Sequence, residues 1–276
     1  MHVFANNLKT VLLLGGLTGL LMGVGYMIGP GYVLPMLIIG ILTNIGAWFF
    51  SDKIAIASMR GKEVTAESGG DLYRMIERLA ERAKLPMPRV YICPHDAPNA
   101  FATGRSPKKA AVAFTRGALE LLSPHELEGV AAHELAHIKN RDTLTSSIAA
   151  TIAGVLAFLA QWGFLFLGGR DRDSNPLVMI VVVIIAAVGA ALIKAAISRS
   201  REYVADAHGA EIAGTPTGLA SALQKLESYS RRIPLVQPNP AQNNLFIIEP
   251  FAGGGLTKLF ATHPPTQKRL AALSRL

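Results

Sequence analysis

The sequence predicts a mainly α-helical integral membrane protein, with four transmembrane helices in two hairpins and a cytoplasmic α+β domain carrying a small sheet. Three observations lead there. Of 276 residues, 50% are apolar and only 17% charged, and the mean hydropathy is +0.34, whereas soluble domains carry roughly 25% charge. The apolar residues gather in four stretches, each near the roughly 20 residues that a helix needs to cross about 30 Å of hydrocarbon. The charge is biased too: 27 Lys plus Arg against 19 Asp plus Glu give a net +8, and the excess sits at one set of span ends.

The first hairpin pairs Val11–Gly29 with Tyr32–Phe50, neither containing a charge, through the tight reversal Gly29-Pro30-Gly31. The first span exceeds the apolar core of a signal peptide and is followed at once by a second span, so it reads as an anchor. The second hairpin pairs Ile148–Leu167 with Leu177–Ile197 across a short polar loop, with Lys194 near enough to its end to snorkel. Residues 1–50 are thus one hairpin and 148–197 the other. The polar segments 51–147 and 198–276 must meet to form one domain.

Lys9, Lys53, Arg60, Lys62, Lys139, Arg141, Arg199 and Arg201 lie on the side of the termini and long polar segments. On the opposite side Arg170 and Arg172 alternate with Asp171 and Asp173. Positive residues flanking spans stay in the cytoplasm, which places both termini and the polar domain there. This asymmetry accounts for the basic balance, so the lipid bilayer is the expected partner and nucleic acid is not. One cysteine, Cys93, excludes an intrachain disulfide.

Ser123-Pro124-His125-Glu126 has the pattern of a helix start, with a capping serine, proline in the first turn and glutamate three residues after the cap. The helix that follows contains His133-Glu134-Leu135-Ala136-His137. Histidines four apart share a helical face and can share a Zn2+ ion, leaving room for a third ligand and a water whose proton Glu134 could take. Ala131, Ala132 and Ala136 give the motif a buried character, in which unliganded imidazoles and a carboxylate would be costly to desolvate.

A third ligand has to come from elsewhere. After the fourth span, Glu202 and Asp206 lie four apart on one helical face. One carboxylate of such a pair can bind metal while the other orients a metal-bound histidine; the alternative is a surface pairing with Arg199 and Arg201. Chain geometry favours the metal, because the second hairpin leaves near His137 and returns near Glu202. His125, His208, His95 and Cys93 read as structural.

With these residues in place, the sequence resembles the HtpX-type membrane zinc metallopeptidases, relatives of the CAAX-prenyl endopeptidases. The match runs through Pro98-Asn99-Ala-Phe-Ala-Thr-Gly104, His133–His137, Arg201-Glu202-Tyr-Val-Ala-Asp206 and Thr262-His263-Pro-Pro-Thr266 followed by Arg269. It covers essentially the whole chain, without a long insertion between the third and fourth spans. The resemblance implies a zincin-like (gluzincin) catalytic domain, with zinc held by His133, His137 and Glu202. It also implies Glu134 as general base and acid, and Asp206 as the residue behind a zinc-bound histidine. A bacterial inner-membrane location follows from it, as does quality-control cleavage of misfolded or damaged membrane proteins. His263 could support the oxyanion, and Arg269 reads as a structural ion-pair former.

Pro88–Ile92 and Ala110–Thr115 are expected strands, separated by a turn region at Asn99–Gly104. An edge strand there could take an extended peptide by adding it to the sheet, with Asn99 as a candidate substrate-binding residue. An intramembrane protease would place its motif inside an apolar span, but Lys139, Asn140, Arg141 and Asp142 follow immediately. A CAAX-processing enzyme would need more spans to enclose a chamber. A catalytically silent scaffold would close its zinc with a fourth protein ligand. Nothing in the sequence specifies an oligomeric state.

Overall fold

The computed structural model describes residues 2–149, 152, 199–232 and 264–276. The second expected hairpin falls almost wholly outside the described residues, as does His263. Helices α1 (His2–Ile28) and α2 (Val33–Ser58) form the first hairpin, reversing through Gly29 and a 3-10 turn at Pro30–Tyr32. Both are long and apolar enough to cross a membrane, over Asn6–Tyr26 and Pro30–Ser58. Their outer faces expose Val11, Leu12, Leu34, Ile38, Leu42 and Phe49, a patch that water would not tolerate. Across the seam between them Asn44 Nδ2 donates to Thr18 Oγ1 at 2.8 Å and to Leu14 O at 3.0 Å.

α2 continues past Phe50 to Ser58, and the extension has a structural purpose. Ala55 and Ile56, with Met59, pack on Tyr91, Cys93, Phe101, Ala111 and Ala113, so the end of a long apolar helix covers one face of a sheet. Arg89 reinforces the junction through an ion pair with Asp52 at 2.9 Å. The sheet contains β1 (Lys62–Val64), β2 (Arg89–Cys93), β3 (Ala100–Thr103) and β4 (Ala111–Thr115) in the order β1-β2-β4-β3. β2 and β4 pair in parallel, with Val90 opposite Val112, while β1 and β3 join antiparallel at the two edges. The central strands are covered on both faces, which is why β4 is an unbroken apolar run, buried throughout.

The expected turn region at Asn99–Gly104 is corrected here: its centre, Ala100–Thr103, is strand β3. Its strand state comes from pairing with β4, Phe101 opposite Ala113, a contact distant in sequence.

The other face of the sheet is covered by α3 (Gly70–Ala83) and α5 (Pro124–Lys139), with α4 (Arg116–Leu121) between β4 and α5. A further helical stretch at 142–149 packs on α1, where Leu144, Ile148 and Ala149 meet Leu13, Leu17 and Leu21. The second polar segment adds α6 (Arg199–Ala213), α7 (Thr217–Arg232) and α8 (Thr266–Leu273).

Three helices meet closely at α5. A Cβ on Gly129 of α5 would lie 2.2 Å from Leu219 N of α7, and one on Gly209 of α6 would lie 3.0 Å from His133 Cα. Only the absence of a side chain lets these backbones approach so near.

α5 starts as the sequence predicts: Ser123 and Glu126 form a reciprocal capping box, with Pro124 in the first turn. Glu126 also accepts from Ser221 Oγ at 2.7 Å and Lys225 Nζ at 2.9 Å, tying α5 to α7. Burial opposes its ionised form, but the hydrogen bonds from Ser123, Ser221 and Lys225 prevail and hold its carboxyl at about 2. A depressed carboxyl stabilises the fold fully above its unfolded value and loses that contribution as pH falls through the folded value. Glu126→Gln is therefore expected to lower stability at pH 7 by about 1–2 kcal/mol, Lys225 being partly solvent-screened. Thermal melts in detergent should show the deficit shrinking as pH falls from about 4.5 towards about 2.

Candidate metal centre

The helical period places His133 and His137 on one face of α5, and the close approach at Gly209 brings α6 against that face. Glu202 and Asp206, one turn apart on α6, then point to the same place. The two imidazole rings meet edge to face, with centroids 4.7 Å apart at 85°. Their Nε2 atoms are 3.1 Å from each other, and each lies 3.7 Å from an oxygen of Glu202. His133, His137 and Glu202 offer ligand atoms that all lie within 4.8 Å of one another.

The outer nitrogens fix the tautomers. His133 Nδ1 lies 3.0 Å from Asp206 Oδ1, although not aligned as a full hydrogen bond, and His137 Nδ1 is 3.1 Å from Asp142 Oδ2. With carboxylates beside both Nδ1 atoms, the protons belong there, leaving two Nε2 lone pairs facing each other. Two such acceptors repel unless a positive charge, either a metal ion or a proton shared between them, lies there. Nitrogens bound tetrahedrally at about 2.0–2.1 Å would sit about 3.3 Å apart, close to the observed spacing, so the group fits a zinc ion.

The surrounding charge favours a cation. Burial works against a protonated His137, yet Glu202, Asp142 and Glu134 raise it to about 9. Burial likewise opposes ionised Asp206, and contacts with His133 and Arg269 outweigh it, holding the carboxyl below its usual range. Arg269 grips Asp206 with two bonds, Nε to Oδ2 at 2.9 Å and Nη2 to Oδ1 at 2.7 Å, and is 1% exposed. Its Nη2 also stands 3.5 Å from His133 Nε2. The sequence reading of Arg269 as an ion-pair former thus matches its geometry, with the pair directly behind the metal group.

Asp142 was not among the residues singled out in the sequence. α5 is capped by Asn140, and Arg141 turns the chain in the left-handed region at φ 59°, which carries Asp142 back to His137. Such a residue shares no helical period with the motif, so spacing could not reveal it. Asn6 of α1 donates to the same carboxylate at 2.7 Å, and Arg201 approaches it at 4.0 Å. The first long apolar helix therefore touches a carboxylate that orients His137.

Glu134 is buried beside His133 on α5. Asn99 is buried just before β3, where its backbone exchanges bonds with Thr115: Asn99 N–H to Thr115 Oγ1 at 2.8 Å, and Thr115 N–H to Asn99 O at 2.9 Å. His208 bonds Asn140 Oδ1 at 2.9 Å, and His125 bonds Thr217 Oγ1 at 2.9 Å, so neither joins the metal group. His95 Nε2 meets Met59 O at 3.0 Å, and Cys93 is fully buried, its thiol pushed up to about 11 by burial.

Asp142→Ala is expected to weaken divalent-metal binding by about 10–100-fold, because His137 loses the acceptor that orients it. Competition against a chromophoric chelator reads this directly, and an unchanged affinity would show that Asp142 plays no part in positioning the ligand.

Comparison with known proteins places this geometry in a family. The chain is 47% identical over 277 residues to a protease HtpX homolog of Desulforapulum autotrophicum, covering 97% of this chain and 89% of the relative. It is 50% identical over 278 residues to one of Syntrophotalea carbinolica, covering 98% and 99%. Among solved structures, Ste24p of S. mikatae superposes with a TM-score of 0.53 at 19% identity, covering 98% of this chain and 64% of that one, which is a likeness of fold. The model of peptidase family M48 matches residues 66–276, which include every residue of the metal group: the chain belongs to peptidase family M48.

Proposed function

We propose that this metallopeptidase is a membrane-bound, zinc-dependent endopeptidase of the bacterial inner membrane, hydrolysing peptide bonds of misfolded or damaged membrane proteins. The observation that supports it most is the pair of facing imidazole nitrogens closed by Glu202, on a helix that also carries Glu134. In this reading the chain spans the bilayer four times, in hairpins at 1–50 and 148–197. Residues 51–147 and 198–276 form one cytoplasmic catalytic domain.

His133, His137 and Glu202 hold one zinc ion per chain. When bound, zinc supplies Lewis acidity, lowering the pKa of a water towards about 7 and polarising the scissile carbonyl. Glu134 takes the proton of the attacking water and delivers it to the leaving amine. Asp206 and Asp142 keep both Nδ1 positions protonated, so that both Nε2 atoms face inward, and Arg269 fixes Asp206. His263 supports the oxyanion from the segment preceding α8. β3 lies at the sheet edge beyond β4, where an extended substrate can pair with its backbone near Asn99. Such pairing reads main chain rather than side chains, which suits substrates with no common sequence.

Glu134→Gln keeps every proposed ligand and removes only the proton carrier. It is expected to retain zinc at the parental stoichiometry and to lose turnover of an unfolded membrane protein by about 10^2–10^4-fold. Metal content and cleavage rate measured on one detergent preparation provide the check. Cleavage at the parental rate would remove Glu134 from the mechanism.

A further inference from the structure

We propose that a basic cavity at the cytoplasmic mouth of the first hairpin binds the phosphate of an anionic phospholipid headgroup. The proposal goes beyond peptide hydrolysis and rests on the reading that α1 and α2 cross the membrane. The cavity has a volume of about 210 Å³ and is lined by residues including Asn7, Trp48, Arg105, Ser106, Arg141 and Thr143. Two of these are arginines and none of the lining residues is acidic. Among the described residues, neither guanidinium is paired with a carboxylate.

The fold holds the Arg105 side chain and the Arg141 backbone. Arg105 follows β3 and lies over the Phe49 ring, its guanidinium carbon 4.8 Å from the centroid, which leaves its N–H edge free for an anion. Arg141 is the left-handed residue at the end of α5, its backbone N–H bonded to Ile138 O at 3.1 Å. Thr143 donates its hydroxyl to Gly104 O at 2.8 Å, pinning the Arg105 loop to the Arg141 turn. The fold therefore fixes the Arg105 guanidinium and the backbone that carries Arg141, and planar guanidinium forks match phosphate oxygens.

Position selects a lipid as the source of the phosphate. Trp48 lines the cavity, and indoles favour the membrane–water boundary. Ile41, Ile45 and Phe49 form an exposed stripe at four-residue spacing, running from the cavity back along α2 into the spanning region. A phosphate between Arg105 and Arg141 would let its acyl chains lie along that stripe. Basic pockets beside spanning helices on the cytoplasmic side are suited to such headgroups.

The test uses the purified full chain, wild type and Arg105→Gln/Arg141→Asn, Asn being a residue that tolerates the left-handed turn. Each is titrated in detergent with short-chain phosphatidylglycerol, short-chain phosphatidylcholine and inorganic phosphate, with Trp fluorescence and native mass spectrometry as readouts. Wild type is expected to prefer phosphatidylglycerol to both other probes, and the double variant to lose about tenfold or more of that affinity. The single variant Arg105→Gln should lie between them at an unchanged melting temperature. Equal binding by wild type and double variant would overturn the site, and phosphate binding as tight as the lipid would overturn its lipid nature. Alkaline extraction of membranes separates the two readings: both proteins retained, with equal lipid binding, refutes the lipid site alone, whereas release of the wild type refutes the membrane reading as well.

Discussion

His133 and His137 bring two ring nitrogens to within 3.1 Å of each other in the protein interior, and each ring has a carboxylate behind it. Glu134, Asp142, Glu202 and Asp206 are all buried around them, and among the described residues the guanidiniums buried with them are those of Arg201 and Arg269. Ionised, the four carboxylates leave an excess of two negative charges, which a divalent cation balances. Without one, the cluster would have to protonate, as the raised value of His137 indicates. Much of the surrounding architecture serves to hold this group: the glycine contact that presses α6 on α5, the cap that fixes the start of α5, and the turn that returns Asp142.

The N-terminal apolar hairpin is also part of that architecture. α2 covers the back of the sheet with Ala55, Ile56 and Met59, and α1 reaches Asp142 through Asn6, with Thr10 meeting Thr145 at 3.1 Å. An aqueous fragment lacking the hairpin would expose one sheet face and loosen a carboxylate that touches His137. The membrane segment is thus a structural component of the centre as well as its anchor.

The parts of this arrangement legible in the sequence are those with local causes. The capping box, the four-residue histidine spacing and the four-residue carboxylate spacing are properties of single helices, and α5 and α6 carry them as read. β2 and β4 were legible as short apolar runs. β3 lies in a stretch whose flanking Asn99 and Gly104 suggest a turn, and its strand state depends on pairing with β4, from Ala100 opposite Phe114 to Thr103 opposite Ala111. β1, Lys-Glu-Val, has no apolar run and exists through pairing with β2. The uncharged apolar span begins at Val11, after the polar Asn6, Lys9 and Thr10. The helix extends to His2 because Asn6 and Thr10 find partners near α5, contacts that hydropathy does not report.

The central claim is that two imidazoles and one carboxylate of this chain hold a catalytic zinc ion with a position left for water. X-ray absorption spectroscopy on the purified full chain tests it most directly. The account predicts one zinc per chain, with two imidazole nitrogens at about 2.0–2.1 Å, oxygen ligands from Glu202 and water, and no sulfur. Loss of the carboxylate contribution in Glu202→Ala should accompany weaker zinc retention. Sulfur in the coordination shell, a third imidazole in place of water, or an unchanged spectrum in Glu202→Ala would contradict it.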